Sequence, residues 1–163
     1  MLRDSYKHLL GLPYKSGSQD CYGLAVRYFK ELYNLDLLNF ARPDGWWNDP
    51  DIDLINDCLQ ADGWENIGIN IKGLKLGDAL VFSLINGRAN HVGIYVGNGM
   101  FIHHVYQRFS CEEALMDKWT SRLLMIVRHP EISKANHLNK PKTDAMSILP
   151  EHIRARIIRT SQP

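Results

Sequence analysis

The chain has 163 residues, enough for one domain with a core of ordinary size. Apolar residues make up 45% and charged residues 23%, which excludes a disordered chain and fits a folded, soluble one. A formal net charge of +1 leaves no electrostatic footprint for nucleic acid, and no apolar run approaches the ~18 residues of a membrane span.

Residues 3–10 read as a short helix ended by Gly11, after which Pro13 to Gln19 forms a loop. Asp20 caps a second helix, Cys21 to Tyr33, with Leu24, Ala25, Tyr28, Phe29 and Leu32 on one face and Asn34 at its stop. Asn39 to Pro50 is irregular and holds Trp46 and Trp47. A third helix, about Ile52 to Gln60, buries Ile55, Cys58 and Leu59. Strands follow at Ala79–Leu84, His91–Val96 and Met100–Val105, with Gly97-Asn98-Gly99 as a hairpin turn. Glu112 to Trp119 is expected to hold a helical turn, and Leu123–Arg128 is a further strand. Helices first and strands later imply an α+β domain with an antiparallel sheet. The polar stretch from Pro130 to Ser147 reads as a linker to a short basic helix, about Leu149 to Ile158. The domain is therefore expected to span residues 1–130 and the linker with its helix 131–163.

The chain has three cysteines, Cys21, Cys58 and Cys111. Their odd number and wide spacing argue against a disulfide framework, and the lack of a CxxC pair argues against a thiolate zinc site. Cys21 stands at a helix start, where free N–H groups and the helix dipole favour the nucleophilic thiolate. Its thiol is expected to titrate below the ~8.5 of a free cysteine. Cys58 lies on an apolar helix face, and Cys111 has no evident activator. A cysteine nucleophile needs a base and a group that orients the base. His91 opens the strand HVGIYV and His103 lies near the end of the next, MFIHHV.

The segments QDCYGL, GDALVF and HVGIYVGNGMFIHH resemble the NlpC/P60 family of papain-like cysteine peptidases over roughly residues 11–105. The stretch NGMFIHHVYQRFSCEEALMDKWTSRLLMIVRH is similar to the NlpC/P60 domain of tailed-phage tail assembly proteins, the lambda K-like group. The resemblance implies a papain-like α+β fold, with N-terminal helices packed on an antiparallel sheet. It implies Cys21 as nucleophile, His91 as general base, His103 as the residue orienting that base, and Tyr14 in the oxyanion region. It implies no metal or organic cofactor. The implied reaction is amide hydrolysis of peptidoglycan stem peptides, often at a D-glutamyl–diaminopimelate bond. Other phage tail-tip proteins are the implied partners, with no nucleic acid among them. MLRDSYKHLLGLPY has no apolar signal core, so the protein is expected in the host cytoplasm during assembly and then at the virion tail tip. Family members that act on cell walls usually carry Ser or Thr after the cysteine, where this chain has Tyr22. Three alternatives stay open: a structural tail-tip protein with an occluded or vestigial triad, a protease processing another tail protein, or an acyl transferase.

Asp20 reads as a helix cap rather than a catalytic acid, and Asp78 as the residue fixing a turn before a strand. Trp46 and Trp47 read as packing their loop, with walling a substrate groove as the alternative, and the C-terminal basic helix as a solvated face or a docking element. For His91 and His103 to meet, they must share one face of the hairpin. That requires an odd-length turn pairing Val96 with Met100, or an equivalent bulge, so that His103 lies opposite Gly93. His104 then points to the other face and stays outside the triad.

Overall fold

The computed structural model describes residues 4–138. Two helices lead: α1 (Cys21–Tyr33) and α2 (Leu54–Ala61). The strands are β1 (Glu65–Asn66), β2 (Ala79–Phe82), β3 (His91–Gly97), β4 (Met100–His103), β5 (Cys111–Ala114) and β6 (Leu123–Arg128). They form one antiparallel sheet in the order β1-β6-β2-β3-β4-β5. Two further helices, α3 (Asp117–Thr120) and α4 (Pro130–Leu138), flank β6 in sequence.

The two faces of the sheet bury different sets of side chains. Val81, Val92, Ile94, Ile102 and Val127 pack with Leu24, Ala25, Tyr28 and Phe29 of α1. Leu80, Phe82, Phe101 and Ile126 point the other way and pack with Trp119 of α3. This alternation along each strand is the period of two that a strand imposes. α1 covers the first face, so its N-terminal residue, Cys21, is delivered to the end of the sheet where β3 begins.

The helix expected at residues 3–10 is reduced to one 3₁₀ turn, Lys7–Leu9. The helical turn expected within Glu112–Trp119 is displaced. Residues 111–114 pair with β4 as β5, and the helix starts only at Asp117. All four β5 residues are half-buried, the mark of an edge strand, so no alternation announced it. The stretch from Pro130, expected as linker, begins as α4. Proline suits the first helical position because its missing N–H would be unpaired there, and Ile132 is buried in the core shared with α1. The basic helix expected at Leu149–Ile158 lies outside the described residues.

The β3–β4 hairpin solves the register by a bulge. Gly97 pairs with Met100 across Asn98 and Gly99, both at positive φ (54° and 72°), as a two-residue hairpin turn of this twist requires. The register then shifts between Tyr95 and Gly97, leaving Val96 as the extra residue. Val96 therefore does not pair with Met100, but His103 lies opposite Gly93, as the bulged alternative required.

Candidate active site

α1 starts at Cys21 because Asp20 caps it. Asp20 Oδ1 accepts the Gly23 N–H at 2.7 Å, while Oδ2 accepts the Gly17 N–H and Arg42 Nε–H, both at 2.9 Å. The remaining Arg42 donors reach Gly17 O, Asn39 Oδ1 and Phe40 O. One buried ion pair thus ties the loop before Cys21 to the loop carrying the tryptophans. Arg42→Ala leaves a buried carboxylate without its cation, and is expected to lower stability by about 3–5 kcal/mol. Chemical denaturation checks this; a loss within the ~1 kcal/mol of a surface pair would contradict it.

Cys21, His91 and Tyr14 line one cavity of about 220 Å³. His91 is the first residue of β3 and is opposed by Phe82. Its Nε2 lies 3.0 Å from Nδ1 of His103. Both rings project to the face of Trp119, which stacks on His91 and meets His103 edge-on. Cys21 approaches from the other face, against the backbone N–H of Val92. The geometry leaves Nδ1 as the His91 nitrogen not engaged by His103. His103 is fully buried behind His91 and does not line the cavity.

Beyond His103 the chain of contacts continues. His103 Nε2 is 3.3 Å from Glu113 Oε1 and 3.4 Å from Cys111 Sγ, while Trp119 Nε1–H donates to Glu113 Oε2 at 2.8 Å. A carboxylate only accepts hydrogen bonds, so His103 carries its proton on Nε2. Its Nδ1 then accepts from His91 Nε2–H, and the free lone pair of His91 sits on Nδ1. Glu113 thus selects the tautomer of both imidazoles.

Electrostatics correct one expectation. Burial pushes the Cys21 thiol up to about 12, and nearby Asp20 adds to this. The N–H groups of Val92 and Tyr22 act in the opposite direction but do not outweigh burial. The helix start therefore does not by itself yield the expected low-pKa thiolate. Burial, followed by the neighbouring His103 and His104, drives the His91 pKa well below 6.5. The resting pair is a neutral thiol beside a neutral imidazole. Burial pushes the Tyr14 phenol up to about 12, so it stays a hydrogen-bond donor at neutral pH.

Burial also lowers His103 to about 4, with Glu113 acting against it. Between that value and 6.5 the unfolded chain binds a proton that the folded chain refuses. Stability is therefore complete above pH 6.5 and is lost as pH falls towards about 4. For His103 alone the loss is about 3 kcal/mol. Urea denaturation at about pH 7 and about pH 4.5 should show at least most of it, and His103→Gln should reduce the difference while buried His91 keeps its own share. Equal stability of the parent protein at both values would contradict this picture.

The other residues fall into place as follows. Asp20 is the expected cap, and Asp78 fixes its turn by accepting from Lys75 N–H and Arg128. Trp46 is buried as expected, yet it also lines the cavity with Trp47, whose ring meets Tyr106 at 4.9 Å. His104 does point away from His103, but that direction is the Cys21 side. β4 ends at His103, and His104 lines the cavity with its ring edge-on to Tyr14 at 5.5 Å. Sequence reasoning missed His104, Tyr106 and Glu113. The paired histidine in FIHHV was the signal available for the first; nothing local marked Glu113.

Helices packed on one antiparallel sheet, with a helix-start cysteine and a strand-start histidine lining one cavity, define a papain-like α+β domain. Residues 11–128 match the NlpC/P60 family, and the chain belongs to it. It is 32% identical over 125 residues to tail tip assembly protein K of Escherichia phage lambda, covering 75% of this chain and 59% of that protein. It is 27% identical over 126 residues to the protein of the same name from Escherichia phage N15, covering 76% and 50%. The chain thus spans between half and three-fifths of the length of these relatives. The NlpC/p60 domain of peptidoglycan hydrolase SagA shares the fold, with a TM-score of 0.52 at 18% identity, covering 78% of this chain and 96% of that one.

Proposed function

We propose that the domain is a cysteine hydrolase of amide bonds, with Cys21 as nucleophile, His91 as general base and acid, and His103 as the residue orienting His91. The observation that carries this reading is the hydrogen bond from His91 Nε2 to His103 Nδ1, beside a cavity that His91 shares with Cys21. With Nε2 engaged by His103, His91 Nδ1 is the nitrogen left to take the thiol proton in this reading. The Cys21 proton passes to His91 Nδ1 as Sγ attacks the carbonyl carbon. The Tyr14 hydroxyl donates to the developing oxyanion in this reading. His91 then protonates the leaving amine, and a thioester remains. Water gives its proton to His91 and attacks the thioester, and Cys21 leaves and takes that proton back. Because the resting pair is neutral, proton transfer accompanies attack rather than preceding it.

The substrate of this reading is a peptidoglycan stem peptide, cut at the D-glutamyl–diaminopimelate type of bond, at a phage tail tip during assembly or cell penetration. Family membership, the tail assembly proteins among the relatives and the peptidoglycan hydrolase sharing the fold support it. Tail-tip proteins are the proposed partners. Among the described residues no helix is long and apolar enough to cross a membrane. Phage carrying Cys21→Ala should build tails of normal composition and infect poorly. A partner protein of altered mass in those particles would favour processing of a tail protein instead. Full infectivity would contradict a catalytic role at the tail tip.

A further inference from the structure

This inference rests on the proposed roles of Cys21, His91 and His103. We propose that His103, Cys111 and Glu113 form a zinc-binding site, and that zinc held there switches the hydrolase off by reversing the hydrogen bond between the two histidines.

The lack of a CxxC pair hid this donor set, because the sheet builds it from two strands. Cys111 lies directly opposite His103 in the β4–β5 register, and Glu113 stands two residues further along β5 on the same face. His103 Nε2 and Glu113 Oε1 are 3.3 Å apart, Cys111 Sγ and His103 Nε2 3.4 Å, and Cys111 Sγ and Glu113 Oε1 3.8 Å. Nitrogen, oxygen and sulfur held at zinc bond lengths and tetrahedral angles lie about 3.3–3.6 Å from each other. The three donors therefore need to move by only tenths of an ångström to share one ion. The donor mixture of imidazole, thiolate and carboxylate suits Zn²⁺ rather than calcium or magnesium.

The surroundings are those of a metal site. Glu113 Oε2 accepts from Trp119 Nε1–H at 2.8 Å, which leaves Oε1 turned towards the other two donors. The second nitrogen of His103 is bonded to His91, as the outer nitrogen of a metal-bound histidine usually is to a neighbour. His103 closes the site from below, while half-exposed Cys111 and Glu113 open it to solvent, leaving a fourth position for water. The ammonium of Lys118, 3.6 Å from Glu113 Oε2, opposes a cation; carboxylate and thiolate together leave the donor set net negative.

The consequence for catalysis follows from where each proton must sit. Without zinc, His103 carries its proton on Nε2 and accepts from His91 at Nδ1. Zinc takes the Nε2 lone pair, so the His103 proton moves to Nδ1. Nδ1–H then donates to His91 Nε2, and the His91 proton moves to its own Nδ1, on the Cys21 side. Each imidazole keeps one proton, and only the Cys111 proton is released to solvent as its thiolate binds the metal. The nitrogen that must receive the Cys21 proton now carries a proton itself.

The test uses the full chain carrying Cys21→Ala, which removes the other thiol near a histidine. Zinc chloride is titrated in by calorimetry, and histidine nitrogen NMR reads the tautomers. The expected result is one ion per chain, with the His91 proton on Nε2 before zinc and on Nδ1 after it. Cys111→Ser and, separately, Glu113→Gln should each weaken binding by about 100-fold or more, at least the upper range for losing an outer-shell partner alone. No saturable binding, binding unaffected in both variants, or binding without tautomer exchange would overturn the proposal. These readouts need no turnover. A failed hydrolase reading would leave zinc binding and tautomer exchange in place, and missing zinc binding would leave the hydrolase reading intact.

Discussion

Replacing His91 with alanine is expected to lower amide hydrolysis by roughly 10⁴-fold or more, the scale of losing a member of a nucleophile–base unit. The same substitution should slow alkylation of Cys21 by about 100-fold or more, the contribution of a positioned general base. The second effect follows from burial. With the Cys21 thiol pushed up to about 12, neither the helix start nor the N–H of Val92 supplies much thiolate. His91 Nδ1 is the proposed acceptor of its proton. Iodoacetamide labelling read by peptide mass gives the rate at Cys21 apart from those at Cys58 and Cys111. Unchanged alkylation in the His91 variant would mean that Cys21 ionises without His91. The neutral-pair mechanism would then be wrong even if hydrolysis is lost.

Gly23→Ala should damage the site by a different route. A Cβ on Gly23 would lie 2.0 Å from the Ser18 carbonyl oxygen and 2.8 Å from its carbon. These are backbone atoms of the loop that leads into Cys21, so no side-chain rotation relieves the overlap. The Asp20 cap, bonded to Gly23 N–H and to Arg42, ties that loop to α1 from the other side. Either the loop lifts and the cap breaks, or α1 shifts and carries Cys21 away from β3. The expected cost is about 3 kcal/mol or more, at or beyond the upper end of ordinary overpacking. Thermal or denaturant unfolding measures it. A loss below about 1 kcal/mol, less than ordinary overpacking costs, would show that the loop yields freely.

The readable parts of this fold were those whose signal is local. α1 runs from Cys21 to Tyr33 as its apolar spacing, its Asp20 cap and Asn34 indicated, with Asn34 left-handed at the stop. The α+β order and the β3–β4 hairpin followed from the change of period and the Gly-Asn-Gly turn. β1 and β5 were not readable: one is two exposed residues long, and the other is an edge strand whose register is imposed by β4. α4 was hidden because its sequence is polar; among its described side chains, Ile132 is the buried one that holds it to the core.

The candidate site divides in the same way. Cys21, His91 and Tyr14 stood in recognisable segments and line a single cavity. His103 stands behind them, held opposite Gly93 by a bulge that two-residue counting alone would miss. A Cβ at Gly93 would come within 2.6 Å of the Phe101 ring, so its lack of a side chain also sets how closely that ring packs over β3. Glu113, which fixes the tautomer of His103, comes from the unread strand β5. His104 points to the face opposite His103, as alternation indicated; what alternation could not show is that this face carries the cavity that Cys21 lines.

Digestion of purified sacculi, read by mass spectrometry of the released muropeptides, tests the central claim most directly. The wild-type protein should release stem-peptide fragments cut at a D-glutamyl–diaminopimelate type of bond, and Cys21→Ala should release none above the untreated control. Identical muropeptide profiles from the two proteins would contradict a peptidoglycan hydrolase with Cys21 as its nucleophile.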